Sequence, residues 1–535
     1  MTRPRALPRA ALVAATAAAL GLGLVPAVSA TPDAGPRPQV AAAAEQVQAS
    51  AFAQQLEAEY VDPDRVYSTD VRWWLGEAAH TDETLLEEIQ ALYDAGFRGV
   101  ELCMQSDSAA PDALYAYGSD MWAHKWDLVM NKLLDLGMSV YLTSGTHWAT
   151  SNVPGLDPAS QSAMQNLTMG TTTVAAGQSL AALPAPAANA RRAGAKLVTA
   201  HAYKVTSGNT IDPDSYVDLT ARATQGADVW TQNVGWTAPS DGTYRVFGLW
   251  TQGTYQTSSP AAQPSYATNY FDERGLEALK AFWEEHYLDD PALRAKIREG
   301  DVQLFMDSLE MSTGNGFTWW AEDMAAEFRK RKGYDITPFL FLIDGVDAGV
   351  TMPYHSVAQT GTYRLAGGDR KRQGIVNDYQ DVLTQLYRER MLRPMKEWLN
   401  SVGIKTRAQI SYGKPLEISE PIMDVDYPEA ENYNQYNQVD ILRLWTGGSK
   451  LENKVLSSET STELPSFNAT PQQHLFDAYS MFAAGFQRMI WHVWAADYGY
   501  GNQAWPGYSQ TPLHFVPHAR PRQTPASSCH GRQGR

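Results

Sequence analysis

VQLFMDSLE, residues 302–310, runs a short apolar stretch straight into two acids, Asp307 and Glu310. A buried parallel strand reads as a short apolar run, so an acid at its C-terminal end cannot be hidden in the core. Two other segments repeat the pattern. MDVDYPEAE, residues 423–431, ends in Glu429 and Glu431, and VLSSET, residues 455–460, holds Glu459. In a (β/α)8 barrel the C-terminal strand ends form the active-site face. The three segments therefore predict an α/β fold, a (β/α)8 TIM barrel, with acids gathered at its mouth.

The flanking sequence supplies the rest of such a barrel. Val71–Trp74 reads as strand one, GVELCM from Gly99 to Met104 as strand two, and SVYLTSG as strand three. Between them stand a helix capped by Thr81, with Leu85, Leu86, Ile89, Leu92 and Tyr93 on one face, and a helix over 120–136. Gly96 and Gly137 end these helices, the expected punctuation of alternating units. The alternation resumes with a helix over 271–298, strand four over 302–309, and a helix over 320–332. A Gly/Asp/Thr-rich excursion runs to Gly374, and a long helix follows over 378–402. KTRAQIS is strand five, Met423–Tyr427 strand six and Val455–Ser458 strand seven. A helix over 471–484 precedes RMIWHVW as strand eight.

Residues 154–264 break the pattern. KLVTAHAYKV, SYVDLTARA, DVWTQNVGW and TYRVFGLWTQG alternate apolar and polar residues between Gly, Asp and Pro turns. They predict an inserted all-β subdomain after strand three. The barrel is thus expected over 51–153 and 265–508. Asn166-Leu167-Thr168 matches a glycosylation sequon, which reads as incidental in a chain with bacterial-looking export features. That export signal comprises Arg3, Arg5 and Arg9, an Ala/Leu/Val stretch, and Val28-Ser29-Ala30. A cut after Ala30 is expected, making residues 1–30 a signal peptide and 31–50 a linker, with the mature protein exported and without a membrane span. The final residues 509–535 lose periodicity, and no eighth barrel helix is legible in HARPRQTPASSCHGRQGR. The tail reads either as disordered or as the product of truncation or a frame shift.

The net charge of -16 speaks against a nucleic-acid partner, which asks for basic patches. With only Cys103 and Cys529, neither a disulfide framework nor a thiolate zinc site is expected. Cys103 reads as a buried small hydrophobe. No P-loop, nucleophile elbow or dinucleotide fingerprint stands in a strand-turn-helix context. Among 16 Trp and 26 Tyr, Trp148, Trp319, Trp320, Trp494 and Trp505 stand in polar, loop-like contexts. Flat rings there suit the C–H face of a sugar, although ordinary packing is the stronger reading of any single one.

Pairs of strand-end acids suit acid–base work on a glycosidic bond. Spacing alone leaves Glu310 balanced between function and a loop ion pair, with Asp307 either turned inward or holding the loop. Glu429 and Glu431, two apart, share one side of an extended segment. Such a like-charged pair raises one pKa or binds a cation, for which calcium is the natural choice; two solvated loop acids are an equal alternative. Glu459 stands among Ser457, Ser458, Thr460 and Ser461. His147 and His492 lie at strand ends and suit a sugar hydroxyl, with no second His at zinc spacing. Asn377-Asp378 opens the long helix as a cap or a substrate contact.

Several segments together resemble the glycoside hydrolase family 106 α-L-rhamnosidases. They are DVRWWLGEAAHTDETLLEEIQALYDAGFRGVEL, SVYLTSGTHW, LFMDSLEMS with EFRKRKGYDITPFL, NDYQDVLTQLYRERMLRPMKEWLNSVGIKTRAQISYG, DYPEAE, KVLSSET and FAAGFQRMIWHVW. The resemblance covers Val71 to Tyr508 in order. It implies a catalytic barrel, inversion at the anomeric carbon, and calcium near the sugar. It also implies two catalytic glutamates, carried onto Glu310 and Glu459, with Glu431 as calcium ligand or third acid. The chain departs from the family by stopping where C-terminal β-domains usually follow, and by reading SGTHWATSNVP after strand three.

The reading is a secreted, inverting exo-α-L-rhamnosidase acting on plant or microbial glycans, with an oligosaccharide or glycoside as partner. Glu310 is taken as general acid and Glu459 as base, with the reverse assignment open. Trp148, His147, Asp307, Asn377, Asp378, His492 and Trp494 are assigned to the substrate, and Glu431 and Glu429 to calcium. The alternatives are a glycosidase of another sugar or a retaining mechanism, and a calcium-dependent glycan-binding protein without catalysis.

Overall fold

Eight short runs pair side by side and in parallel, and the eighth closes on the first. This computed structural model describes residues 50–61, 63–76, 81–105, 116–146, 151–344, 361–411, 414, 416–432, 439–461 and 471–495. The chain divides into two units, Met1–Gln54 and Gln55–Arg535. Of the first, only residues 50–54 are described, and they begin a helix over Ala51–Val61. The expected signal peptide, linker and tail lie outside or almost outside the described residues. No helix among the described residues is long and apolar enough to cross a membrane.

The barrel strands are β1 (Asp70–Gly76), β2 (Gly99–Gln105), β3 (Ser139–Thr143), β4 (Val302–Met306), β5 (Ile404–Ala408), β6 (Tyr427–Glu431), β7 (Ser457–Thr460) and β8 (Arg488–Ala495). Their outer faces pack on helices whose apolar stripes the sequence foretells. In Asp82–Asp94, Leu85, Ile89 and Leu92 are buried, and Thr81 accepts the N–H of Thr84 as its cap. Trp73 of β1 points outward to this helix, its indole donating to Glu88 (2.7 Å). In Asp120–Asp135, capped by Ser119, the buried face is Trp122, Trp126, Val129, Met130 and Leu133. Cys103 is buried, as expected.

Several boundaries differ from the sequence reading. The helix expected over 271–298 is two, Glu273–His286 and Pro291–Glu299, because Asp290-Pro291 starts a fresh capped helix. Trp319 and Trp320 are buried in a strand, Thr318–Trp320, and the helix begins only at Met324. The long helix starts at Arg370, just after Gly367 and Gly368 turn the chain with positive φ. Asn377 and Asp378 therefore lie within it and cap nothing. It passes through a π turn, Arg388–Leu392, before Arg393–Ser401. Pro394 explains the turn: it offers no N–H and its ring clashes with the carbonyl four residues back. Pro421–Asp424 is a tight turn, so strand six starts at Tyr427, and strand seven at Ser457. Glu429, Glu431 and Glu459 thus sit inside strands, with Glu431 opposite Glu459. A helix over Val439–Leu451, absent from the sequence reading, separates β6 from β7.

Between β3 and β4 lies the β-rich insert. Its main sheet orders Gln165–Val174, Tyr244–Gly253 and Lys196–Ser207 side by side and antiparallel. It also recruits Thr318–Trp320 and, beyond Thr210–Ile211, Arg364–Leu365 from the segment after β4, so the insert is not a closed module over 154–264. Alternation decides its two faces. Phe247 and Leu249 join the core shared with the barrel, while Val246 and Trp250 pack under a smaller sheet containing Val234 and Trp236.

Candidate active site

TIM-barrel lumens are usually filled by branched apolar side chains. This one is lined with ion pairs. At the bottom Asp70 accepts from Arg488 Nε (2.6 Å), Arg98 and the Tyr141 hydroxyl (2.9 Å). One layer up, Arg407 of β5 pairs with both Glu101 of β2 and Glu429 of β6. Strands β2 and β5 are not neighbours, so the first of these pairs crosses the lumen. The Arg407 guanidinium lies over the Phe305 ring, 4.1 Å from its centre. Ser457 Oγ donates to Glu429 (2.7 Å).

Arg72 of β1 forms the upper layer. Its Nε donates to Glu101 (2.5 Å), and its two terminal nitrogens fork onto Glu459 (2.7 and 3.0 Å). Asp307, just past β4, stands 3.6 Å from the same guanidinium. Gln409 Nε2 adds a third donor to Glu459 (2.6 Å), and His492 Nε2 lies 3.9 Å away. Glu310 stands half-buried on the loop after β4, where Ser308 Oγ lies 3.4 Å from its carboxyl.

Burial pushes the Glu310 carboxyl up to about 7; the Ser308 hydrogen bond and Lys414 oppose the shift, and the charge of Glu459 reinforces it. Burial also raises Asp307 and Glu459, each raising the other while Arg72 pulls both down. These two titrate as a pair. Glu459 accepts three side-chain hydrogen bonds, whereas Asp307 accepts the Ser308 N–H (2.8 Å) and faces Arg72 only at 3.6 Å, an imbalance that favours the charge on Glu459. The mouth thus gathers carboxyls that burial raises toward neutrality, with the Arg72 fork opposing the shift on Glu459, the range in which acid–base chemistry operates.

The structure brings together Glu310, Glu459, Asp307 and His492 of the residues singled out in the sequence. Trp494, two positions beyond His492 on β8, is buried, and its indole N–H has no hydrogen-bond partner among the described residues. His147 and Trp148 lie outside the described residues, as does Trp505. Asn377 is exposed and accepts from Gln373 one turn back, while Asp378 is engaged by Tyr334 and Lys332. Neither contacts the carboxylate cluster. Asn166 is fully buried and donates to the Thr313 carbonyl (2.7 Å), so its sequon cannot carry a glycan. Arg72, Glu101, Arg407 and Gln409 were not singled out. Their signal was a charged or amide side chain inside an apolar strand, as in VRWW, GVELCM and KTRAQIS.

Calcium takes six to eight oxygens. Glu429 Oε1 lacks a hydrogen-bond partner, but this carboxylate is already neutralised by Arg407. No group of three His, Cys, Asp or Glu converges as a metal cage among the described residues. Residues 433–438 and 462–470, which soon follow Glu431 and Glu459, lie outside the described residues. A calcium shell is therefore not assembled by the residues described.

A family model described as alpha-L-rhamnosidase, glycoside hydrolase family 106, matches residues 191–513. Among solved structures the fold is similar to a rhamnosidase from Novosphingobium sp. PP1Y, with a TM-score of 0.59 and 14% identity over 82% of this chain and 56% of that one. The chain thus spans little more than half of that protein. A β-galactosidase from the haloarchaeon Halorubrum lacusprofundi matches with a TM-score of 0.41 and 12% identity, over 82% of this chain and 54% of that one. No curated protein matches the sequence.

Proposed function

The chain belongs to glycoside hydrolase family 106, the α-L-rhamnosidase family, and from that premise we propose that it cleaves terminal α-L-rhamnose from a glycoside with inversion. The observation that carries the reading is the unequal pair at the barrel mouth. Burial raises both carboxyls, but only Glu459 carries the Arg72 fork and the Gln409 donor, which favour its charged form, while Glu310 has a single long Ser308 contact. In this reading Glu310 gives its proton to the departing oxygen as the glycosidic bond breaks. Glu459 takes a proton from water as that water bonds to the anomeric carbon from the opposite face. Inversion asks the two carboxyls to stand ~6.5–9.5 Å apart, leaving room for the water. Arg72 opposes the protonation of Glu459 that burial favours and fixes the plane of its carboxylate. The Trp494 indole N–H and His492 are the groups we assign to sugar hydroxyls.

Calcium enters as a proposal from the family resemblance, with Glu431 as the carboxylate assigned to it and no step routed through the metal. Export through residues 1–30, and plant or microbial glycans as substrates, belong to the same proposal. The test is a panel of aryl glycosides, α-L-rhamnoside included, with calcium varied. Proton NMR then identifies the first-formed anomer. Release of rhamnose as the inverted anomer is expected. Turnover of another sugar alone, retention, or sugar affinity without turnover would overturn the reading.

A further inference from the structure

The loop that carries Glu310 leaves the barrel at Met306 and ends in the insert's sheet at Thr318. The insert holds it at several points along the way. Asn166 Nδ2 donates to the Thr313 carbonyl (2.7 Å), and Phe317 N donates to the Leu167 carbonyl (2.9 Å). Gly314, with φ +57, lies against Thr254, where a Cβ would sit 2.5 Å from the carbonyl oxygen. The grip nearest the chemistry is a single side chain. Gln256 Nε2 donates to the Glu310 carbonyl (2.9 Å), and Gln256 Oε1 accepts from Ser312 N (2.7 Å). One amide thus satisfies the main chain on both sides of Met311, as a neighbouring strand would.

Gln256 is itself firmly held. Its carbonyl accepts from Ala267 N (3.0 Å), and its N–H donates to Thr254 Oγ1 (3.3 Å). Tyr255 before it has φ +58, a conformation that a bulky residue adopts at a cost and keeps only where its surroundings enforce it. That turn is what aims Gln256 at the Glu310 loop. Proton donation in a transition state depends on sub-ångström placement of the acid, and no hydrogen bond to the barrel's own strands fixes the Glu310 main chain among the described residues.

We propose that Gln256, contributed by the β-rich insert, is a positioning residue for the acid Glu310, so that the insert takes part in leaving-group protonation. This rests on the assignment of Glu310 as general acid. Gln256 touches no reacting atom, and its effect belongs to one half of the reaction. A leaving group acidic enough to depart unaided hardly needs the proton, whereas a poor one does.

The test compares full-length wild type, Gln256→Met, Gln256→Glu and Glu310→Gln on dinitrophenyl and phenyl α-L-rhamnosides. Met keeps the length and packing of Gln but neither hydrogen bond. An ionised Glu still accepts from Ser312 N but cannot donate to the Glu310 carbonyl. Both Gln256 variants should lose on the order of tenfold in kcat/KM on the phenyl substrate. On the dinitrophenyl substrate they should stay within about twofold of wild type, the pattern of Glu310→Gln in milder form. Near-normal turnover of the activated substrate also shows that the variants fold. Equal losses on both substrates, or no loss on either, would overturn the inference while leaving the proposed function standing. A wild type that cleaves neither substrate would overturn the proposed function, and this inference with it.

Discussion

Arg72 contacts three carboxylates at once, Glu101, Glu459 and Asp307, and so decides which of them stay charged. Replacing it with Met leaves buried acids without their counter-ion, a change that costs about 3–5 kcal/mol. A thermal melt of Arg72→Met should therefore drop by many degrees, and a melt unchanged from wild type would contradict the ion-pair account. Glu310 gives the pH behaviour. Burial holds its carboxyl up at about 7, and an acid works only while protonated. While protonation of the base Glu459 limits the kcat/KM profile on the acid side, the profile should fall as pH rises through that value. Glu310→Gln should abolish this limb along with most turnover of poor leaving groups. Glu310 and Glu459 were legible because each ends or follows an apolar run. Arg72 and Arg407 were not, because a lone basic residue in a strand gives no hint that it turns inward until its partners on distant strands are known. Asn377 and Asp378 misled for a local reason: Asn-Asp resembles a helix start wherever it stands, and here the helix had begun at Arg370.

The elements of the barrel were legible where periodicity and capping agree. Thr81 with Leu85, Ile89 and Leu92 is such a case. They were misplaced where a proline or a tight turn competes with an apolar run, as at Pro421 before β6. The insert's strands were legible from their alternation, but its recruitment of Thr318–Trp320 was not, since strand pairing across about a hundred and fifty residues leaves no local trace. One glycine in that sheet is required by close approach. A Cβ on Gly170 would sit 1.9 Å from the Pro184 carbonyl oxygen, a main-chain atom. Gly170→Ala should accordingly cost about 1–3 kcal/mol, read as a lowered melting temperature. A neutral substitution would mean that the 184–185 segment moves freely.

At the scale of the molecule, insert and barrel share one core. Phe247 of the insert stacks on Phe341 with ring centres 4.5 Å apart, and the Tyr203 hydroxyl donates to the Pro338 carbonyl. Excising residues 154–264 would strip that core and the ties to the Glu310 loop together. The remaining chain should show no cooperative melt by calorimetry; a sharp transition in it would show that the barrel folds without the insert.

The ion-paired lumen has a consequence for the act of folding itself. Five carboxylates, Asp70, Glu101, Asp307, Glu429 and Glu459, face four arginines, Arg72, Arg98, Arg407 and Arg488. The native chain keeps protons on the Asp307–Glu459 pair and on Glu310 that an unfolded chain, with carboxyls near ~4, has released. The folded molecule is therefore less negative near neutrality than the formal -16 of its composition. These protons favour the fold below the ordinary carboxylate range, and their contribution fades as pH rises, for Glu310 through about 7. At pH 6 the chain must draw protons from its surroundings as it folds. Its heat of unfolding should then differ between phosphate and imidazole buffers at the same pH, because the buffer takes back what the lumen lets go.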